Sequence, residues 1–246
     1  MIKLSVNVNK VATIRNSRGG SVPSVLEAVD VCVDAGAPGI TVHPRADERH
    51  ITRADVRAIG SRLRERAPHV EYNIEGDPRP DLIDLVEAAK PTQCTLVPVV
   101  PGEVTSQAGW RPGAHRDRLP AVISHLHANG VRVSVFVDAA ADPIQWAASA
   151  GADRIELYTE PFARAFERGG AELEAQFAQF SKAARLARQL GLGVNAGHDL
   201  DLANLRVFRT LPFLDEVSIG HAIVSRALFV GLSKVVREYL GVLAGR

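Results

Sequence analysis

The stretch Ala35-Gly-Ala-Pro-Gly-Ile-Thr-Val-His43 decides the fold class, because a similar stretch recurs as Ala150-Gly-Ala-Asp-Arg-Ile-Glu-Leu-Tyr158. In each copy a glycine is placed to end a helix, and a short apolar strand follows almost at once. A helix that returns directly to a strand is typical of β/α units, whose strands lie parallel in one sheet. The two copies therefore predict a repeated β/α architecture.

Outward from these copies, short runs of Val, Ile and Leu alternate with longer amphipathic segments along the whole chain. Continuous apolar runs are typical of strands that are covered on both faces. We predict eight strands, centred on residues 4–8, 39–42, 70–74, 94–97, 131–136, 154–157, 193–195 and 216–219. The length of 246 residues suits one α/β barrel, and no Ser/Gly-rich linker separates the halves. We expect a single domain, residues 1–246, folded as a (β/α)8 TIM barrel.

Three features of the connections are also predicted. Apolar residues recur at three- and four-residue steps over Ala171–Leu190, which indicates a helix, and Thr52 and Asp142 are placed to cap two others. The connections over Asn9–Val22, Pro98–Leu119 and Thr159–Gly170 are long. In a barrel, long loops after strands lie on the catalytic face, so we expect these loops to bind or cover a ligand.

Composition excludes several classes of function. The 29 basic and 28 acidic residues nearly cancel, so no overall field attracts the chain to nucleic acid or to an anionic membrane. No apolar run approaches the ~20 residues that span a bilayer, and the first residues lack a secretory signal pattern. Cys32 and Cys94 are too few for a disulfide framework, which favours a cytoplasmic location. The CxxC, HExxH, GxGxxG and P-loop patterns are absent from the sequence.

Titratable side chains follow several of the predicted strands. His43, Glu75, His198 and His221 each stand where an apolar run ends. Polar groups are costly to place against buried strands, and the carboxyl ends of barrel strands meet at one face, where barrel enzymes build their active sites. We therefore expect an enzyme with an acid/base site at this face.

The loop that begins at His43 combines chemistry for protons and for anions. Arg45, Arg49 and His50 follow within eight residues of it. Arginine binds phosphate in a bidentate manner, and histidine titrates near neutral pH. We expect His43, Arg45 and His50 to serve a phosphorylated substrate, whereas Arg49 is equally compatible with a solvent-facing position.

The sequence predicts different roles for Glu75 and Glu156. Glu75 follows apolar residues at the end of a strand, where a raised pKa suits a general acid or base, although a helix cap or an ion pair is the alternative. Glu156 lies in the middle of a strand, and its side chain either points into the barrel or pairs with a cation. Both choices remain open for Glu156.

Glycines and cations at other strand ends indicate anion binding. Gly197-His198 and Gly220-His221 end the seventh and eighth strands, where barrels commonly bind phosphate. Between Asn7 and Gly20 the first connection adds a lysine and two arginines, and its glycines suggest a mobile loop. His221 is also compatible with a buried structural histidine.

Taken together, the motifs resemble those of the pyridoxine 5′-phosphate synthases of vitamin B6 biosynthesis. The resemblance runs nearly end to end, through Ser5-Val-Asn-Val-Asn-Lys-Val-Ala-Thr-Ile-Arg-Asn-Ser-Arg-Gly19, Gly39-Ile-Thr-Val-His-Pro-Arg45, Asp47-Glu-Arg-His-Ile51, Asn73-Ile-Glu-Gly76, Leu96-Val-Pro98, Glu103-Val-Thr105, Val194-Asn-Ala-Gly-His198 and Ile219-Gly-His-Ala222. It implies a (β/α)8 barrel with extra helices, assembled as a homo-octamer that is a tetramer of dimers.

The resemblance also implies an activity and a set of site residues. The family condenses 3-amino-2-oxopropyl phosphate with 1-deoxy-D-xylulose 5-phosphate through an imine between the two substrates, without a metal, pyridoxal phosphate or any other cofactor. By matching position, His43 and Glu75 are the general bases and His198 is the general acid. The residues implied for the aminoketone phosphate are Asn7, Arg18, Asp199, Gly220 and His221, and those for the deoxyxylulose phosphate are Asn9, Lys10, Arg45, His50 and Thr105.

The chain departs from many family members at two places. They carry Asp-His where this chain has Asn9-Lys10, and Gly where it has Asp199. Lys10 can still neutralise a phosphate, but it shuttles protons near pH 7 only if its pKa falls substantially. Asp199 suits a place beside a phosphate only if its backbone, and not its carboxylate, faces the anion.

Two other functions remain as alternatives. A metal-dependent sugar-phosphate isomerase or epimerase would use His43, Glu75, Glu156 and His198 as ligands. A non-catalytic barrel would keep the anion-binding residues and bind a phosphorylated metabolite without turnover.

Overall fold

The computed structural model describes residues 1–98, 108–110 and 118–246. Its centre is a closed barrel in which each of eight parallel strands pairs with the next in sequence, and the last pairs with the first. The eight predicted strands and the (β/α)8 barrel are confirmed. The strands are β1 (Lys3–Asn7), β2 (Gly39–Val42), β3 (Glu71–Gly76), β4 (Gln93–Leu96), β5 (Arg132–Val137), β6 (Arg154–Tyr158), β7 (Gly193–Gly197) and β8 (Leu214–Ile219).

Eleven helices within the described ranges surround the barrel. None of these helices combines the length and the apolar character needed to cross a membrane. They are α1 (Asn9–Asn16), α2 (Val25–Asp34), α3 (Arg53–Arg66), α4 (Pro80–Ala89), α5 (Leu119–Ala128), α6 (Ala141–Ser149), α7 (Glu160–Arg168), α8 (Gly170–Gln189), α9 (Leu205–Phe208), α10 (His221–Val230) and α11 (Leu232–Leu243).

Three of the helices are additions to the β/α repeat and lie at the catalytic face. The helices α1, α7 and α10 each begin two residues after a strand ends, and a second helix follows before the chain continues. The first and third of the long connections therefore contain helices, which corrects the expectation of loops there. The second, Pro98–Leu119, falls mostly outside the described residues.

One of the two predicted helix caps is confirmed and the other is wrong. The Thr52 hydroxyl accepts a hydrogen bond from the Asp55 amide, and the Asp55 carboxylate accepts one from the Thr52 amide, which forms a capping box. Asp142 instead lies in the first turn of α6, because that helix begins earlier, after Ala140. An acidic residue in the first turn still interacts favourably with the helix dipole.

The barrel interior is polar, whereas the apolar core lies between the barrel and the helices. Ser5 and Thr41 share a hydrogen bond of 2.6 Å, Asn73 donates to Thr41 at 3.3 Å, and Thr95 donates to Asn73 at 3.0 Å. All four side chains are buried. Buried polar groups are stable only when they are paired, so this network sets the packing inside the barrel.

Charged side chains close the amino-terminal end of the barrel. Glu71 pairs with Lys3 and with Arg132, the latter at 2.6 Å, and Arg154 donates to Asn195 at 2.9 Å. These contacts join β1, β3, β5, β6 and β7 across the barrel floor. A cavity can therefore open only at the other end, where the strands finish.

The hydrogen-bond network inside the barrel should contribute measurably to stability. Replacing Thr41 by valine keeps the shape but leaves Ser5 and Asn73 with one buried partner fewer. We expect the free energy of unfolding to fall by about 1–3 kcal/mol, the usual penalty for an unsatisfied buried polar group. Urea denaturation measures this loss, with Thr210→Val at an exposed position as the matched control. If Thr41→Val and Thr210→Val lower the free energy of unfolding by equally small amounts, the interior hydrogen-bond network does not stabilise the barrel as stated.

Candidate active site

A cavity of about 990 Å³ opens at the carboxyl ends of the strands. It brings together eleven of the thirteen predicted site residues, namely Asn7, Asn9, Lys10, His43, Arg45, His50, Glu75, His198, Asp199, Gly220 and His221. Of the other two, Arg18 is exposed beyond the end of α1 and does not line the cavity, and Thr105 lies outside the described residues.

Glu75 and His43 form the buried pair at the bottom of this cavity. A Glu75 carboxylate oxygen lies 3.9 Å from His43 Nδ1. Burial raises the pKa of Glu75 to about 8, and burial together with His50 and Arg45 lowers the pKa of His43 to about 3. At neutral pH most Glu75 carboxyls therefore hold a proton beside an uncharged imidazole. His43 Nε2 is buried and bonds to no described residue.

Two further carboxyls are buried inside the barrel, and one of them, Glu156, lines the same cavity as Glu75. Glu156 is 3% exposed, and burial, Glu75 and Glu216 together raise its pKa well above the ordinary value. Burial raises the pKa of Glu216 to about 7. A Cβ atom on Gly197 would lie 2.3 Å from a Glu156 oxygen, so the glycine leaves space for this carboxyl. The structure thus places the Glu156 side chain inside the barrel, one of the two positions expected.

Hydrogen bonding fixes the protonation of His50. The Ile51 amide donates to His50 Nδ1 at 2.9 Å, so Nδ1 accepts and the proton lies on Nε2. Burial, Arg45 and Lys10 lower the pKa of His50 to about 4. His50 therefore lines the cavity as a neutral donor beside Lys10 and Arg45.

The loop from His43 to His50 is held from both sides. Asn9 Oδ1 accepts a hydrogen bond of 2.9 Å from the His43 amide, and Arg79 donates to the Pro44 carbonyl at 2.7 Å. Arg15 donates to the His50 carbonyl at 3.1 Å and binds Asp55 through two nitrogens. The amide side chain of Asn9 therefore holds the start of this loop as a hydrogen-bond acceptor.

Two helix N-termini open into the cavity. α1 begins at Asn9 and α10 begins at His221, and the residue before each helix makes no side-chain cap. The Asn7 side-chain oxygen accepts a hydrogen bond of 3.0 Å from the Asn9 amide, so the first amide of α1 is already paired. Uncapped amides and the helix dipole favour a bound anion. A Cβ atom on Gly220 would lie 2.8 Å from the Asn7 carbonyl, so only glycine fits against β1 at this position.

His198 is enclosed by aromatic rings. Its ring centroid lies 5.2 Å from that of Phe136 and 5.3 Å from that of Tyr158. Burial lowers the pKa of His198, and the neighbouring Asp199 carboxylate opposes that shift. In the protein alone His198 is therefore a neutral imidazole.

Sequence reasoning missed several residues of the site. Tyr158 lines the cavity and occupies the position in its repeat that His43 occupies in the other copy, so the repeat itself carried the signal. Ser218 lies 3.5 Å from Glu75, and Arg79 supports the His43 loop. For Ser218 and Arg79 no local pattern distinguishes these positions, because their partners come from distant segments.

The possible metal ligands do not converge. Within residues 1–98, 108–110 and 118–246, no three His, Cys, Asp or Glu side chains are placed to hold one ion together. The described geometry gives the metal-dependent alternative no ligand set among His43, Glu75, Glu156 and His198.

Comparison with known proteins identifies the family. The model of the family described as "Pyridoxal phosphate biosynthesis protein PdxJ" matches residues 4–245. The chain belongs to the PdxJ family. A pyridoxine 5′-phosphate synthase of Christiangramia forsetii is 52% identical over 99% of this chain and 100% of its own, and one of Porphyromonas gingivalis is 50% identical over 99% and 100%.

A solved structure of 3-hexulose-6-phosphate synthase from Salmonella typhimurium is similar in fold alone. Its TM-score is 0.66 with 16% identity, over 99% of each chain. The PdxJ relatives, in contrast, support an enzyme of pyridoxine biosynthesis.

The backbone at Asp199 has the left-handed conformation that glycine adopts most readily. Asp199 has φ +55°, and His198 before it has φ +79°. Glycine adopts such left-handed conformations most readily, and aspartate is among the few other residues that tolerate them. The Asp199 carbonyl accepts from Asn204 at 2.9 Å, and its side chain is exposed at the cavity.

Burial of Glu156 predicts a pH-dependent effect on stability. Because its pKa is raised in the folded protein, the folded state binds the Glu156 proton more tightly than the unfolded state does. The contribution of this group to stability therefore falls as the pH rises above about 4.5. Glu156→Gln removes this ionisation. We compare the unfolding free energy of Glu156→Gln with that of the wild type at two pH values. We expect the difference, variant minus wild type, to be about 1–3 kcal/mol larger at pH 9 than at pH 5.

Thermal and urea unfolding at both pH values measure this gain. Glu174→Gln, on an exposed part of α8, is the control and should give no pH-dependent difference. A Glu156→Gln protein that loses stability equally at pH 5 and pH 9 would contradict the buried, protonated state.

Proposed function

We propose that this enzyme condenses 3-amino-2-oxopropyl phosphate with 1-deoxy-D-xylulose 5-phosphate to give pyridoxine 5′-phosphate, phosphate and two molecules of water. The observation that carries the proposal is one cavity that is lined by the N-termini of two helices, α1 and α10, and by a buried Glu75–His43 pair. Two phosphorylated substrates need two anion sites, and a condensation by proton transfer needs an acid/base pair near both.

The two phosphate groups are assigned to different helix ends. The N-terminus of α1, together with Asn9, Lys10, Arg45 and His50, would hold the deoxyxylulose phosphate, with Thr105 in the same role. The charges of Lys10 and Arg45 and the Nε2 proton of His50 supply donors there. The N-terminus of α10, together with Asn7, Asp199, Gly220 and His221, would hold the aminoketone phosphate.

Arg18 is assigned to the aminoketone phosphate as well, and this requires movement of its segment. The residue is exposed, and Gly19 and Gly20 follow it with open space around them. Closure of this segment over a bound phosphate would bring the guanidinium to the anion, where it can bind in a bidentate manner.

The chemistry proceeds by proton transfers. The substrate amine attacks the substrate ketone, and loss of water gives an imine between the two molecules. Glu75 and His43 act as general bases. The pKa of Glu75, about 8, lies near the working pH and is well matched to this task. The pKa of His43 is lowered to about 3 in the protein alone, and a bound phosphate dianion nearby would raise it. His198 acts as the general acid; a bound phosphate dianion nearby would raise its pKa and so supply the proton. Loss of phosphate, followed by ring closure with loss of a second water, completes the product.

Several coarser features accompany this proposal. The chain would act as a single domain over residues 1–246, use no cofactor, and assemble as a homo-octamer, a tetramer of dimers. Its partners would be phosphorylated small molecules, not nucleic acid or membrane. Cys32 and Cys94 are both buried free thiols, which supports a reducing, cytoplasmic location.

The direct test incubates chelator-treated protein with both substrates and detects pyridoxine 5′-phosphate by absorbance and mass spectrometry. Product at a rate unaffected by chelator supports the proposal. Absence of this product, together with isomerisation of a sugar phosphate only when a divalent metal is added, would favour the isomerase alternative. Binding of both substrates without product would indicate a barrel that binds phosphorylated metabolites without turnover.

Glu75→Gln tests the proposed base. Glutamine fits the buried position but cannot accept a proton, so we expect turnover to fall about a hundredfold or more while substrate binding changes little. In the wild type, turnover should rise with pH towards about 8, as Glu75 loses its proton. Steady-state kinetics across pH 6–9 measure both effects, with exposed Glu65→Gln as the control. Near-normal turnover of Glu75→Gln would refute the assignment.

A further inference from the structure

Thr159 forms an unusual set of contacts directly after β6. Its side chain is fully buried, and its hydroxyl hydrogen-bonds to the carbonyls of Gly197, at 2.7 Å, and of His198. Its amide also donates to the Gly197 carbonyl at 3.0 Å. One residue of the β6–α7 junction therefore holds two consecutive carbonyls of the turn that follows β7.

Asn204 holds the same turn from the other side. Its side-chain nitrogen donates to the Asp199 carbonyl at 2.9 Å, and its side-chain oxygen accepts from the Asp201 amide at 2.9 Å. Thr159 and Asn204 thus occupy the carbonyls of three consecutive residues, Gly197 to Asp199. The turn has little freedom to rotate while both side chains are in place.

This support matters because the turn has an unfavourable backbone. His198 and Asp199 both have positive φ values, +79° and +55°, and neither is glycine. Such conformations persist in other residues only when surrounding contacts enforce them, and they cluster at functional sites. In this conformation the His198 ring packs between Phe136 and Tyr158 and faces the cavity.

We infer that Thr159 is a positioning residue for His198: its buried hydroxyl holds the 197–199 turn in the left-handed conformation that directs the imidazole into the cavity. The inference rests on the proposed function for the role of His198 as general acid, but the positioning itself is independent of any substrate. Thr159 does not line the cavity, so its effect on the reaction would be transmitted through His198.

The chain offers a matched pair of substitutions. Thr159→Val keeps the branched shape and removes the hydroxyl, whereas Thr159→Ser keeps the hydroxyl and removes a methyl group. We expect Thr159→Val to lower kcat about 10- to 100-fold with little change in the KM for the deoxyxylulose phosphate. Thr159→Ser should retain kcat within about threefold of the wild type.

Crystal structures of both variants separate this inference from the proposed function. In Thr159→Val we expect residues 198–199 to leave the left-handed region and the His198 ring to move away from Tyr158; in Thr159→Ser both should stay. Should Thr159→Val fail to fold, Thr159→Ala against Thr159→Ser provides the same comparison.

The outcomes distinguish the positioning role of Thr159 from the proposed function. Unchanged kcat and an unchanged turn in Thr159→Val would overturn the inference and leave the proposed function intact. A wild type without product, together with a turn that relaxes only when the hydroxyl is lost, would overturn the proposed function and keep the positioning role. A Thr159→Ser protein that behaves like Thr159→Val would also overturn the inference.

Discussion

Burial of the Glu75 carboxyl beside a neutral His43 is the constraint on which the rest of the site depends. The two groups lie 3.9 Å apart and both are nearly inaccessible to solvent. A buried carboxylate without a cation is expensive, so the group keeps its proton until the pH approaches 8. That same cost gives the ionised form of Glu75 a high affinity for a proton, which suits the general-base role proposed for it.

The polar barrel interior keeps this arrangement in place. Ser218 contacts Glu75 from β8, and hydroxyl and amide groups below it hydrogen-bond across β1 to β4. Glu216, near the floor, adds negative charge that further raises the pKa of Glu75. The ion pairs of Lys3, Glu71 and Arg132 close the floor. An apolar interior, common in other barrels, would provide neither the charge nor the hydrogen bonds.

Much of this could be predicted from sequence because the signals were local. Apolar runs gave the strand positions, and His43, Glu75 and His198 were visible as titratable residues at strand ends. The left-handed turn at His198–Asp199 and its support by Thr159 could not be predicted, since that contact joins residues about 40 positions apart. The same reason hid the bond from Arg79 to the loop of His43. The helices α1 and α7 were missed because each has only eight or nine residues, too few for a clear helical period.

Infrared difference spectroscopy during a pH titration tests the central claim most directly. A protonated buried carboxyl has a carbonyl stretch that disappears on ionisation, and comparison of the wild type with Glu75→Gln isolates the signal of Glu75. The account predicts that this band is lost near pH 8. Loss of the band near pH 4.5, the ordinary value for a glutamate, would contradict it.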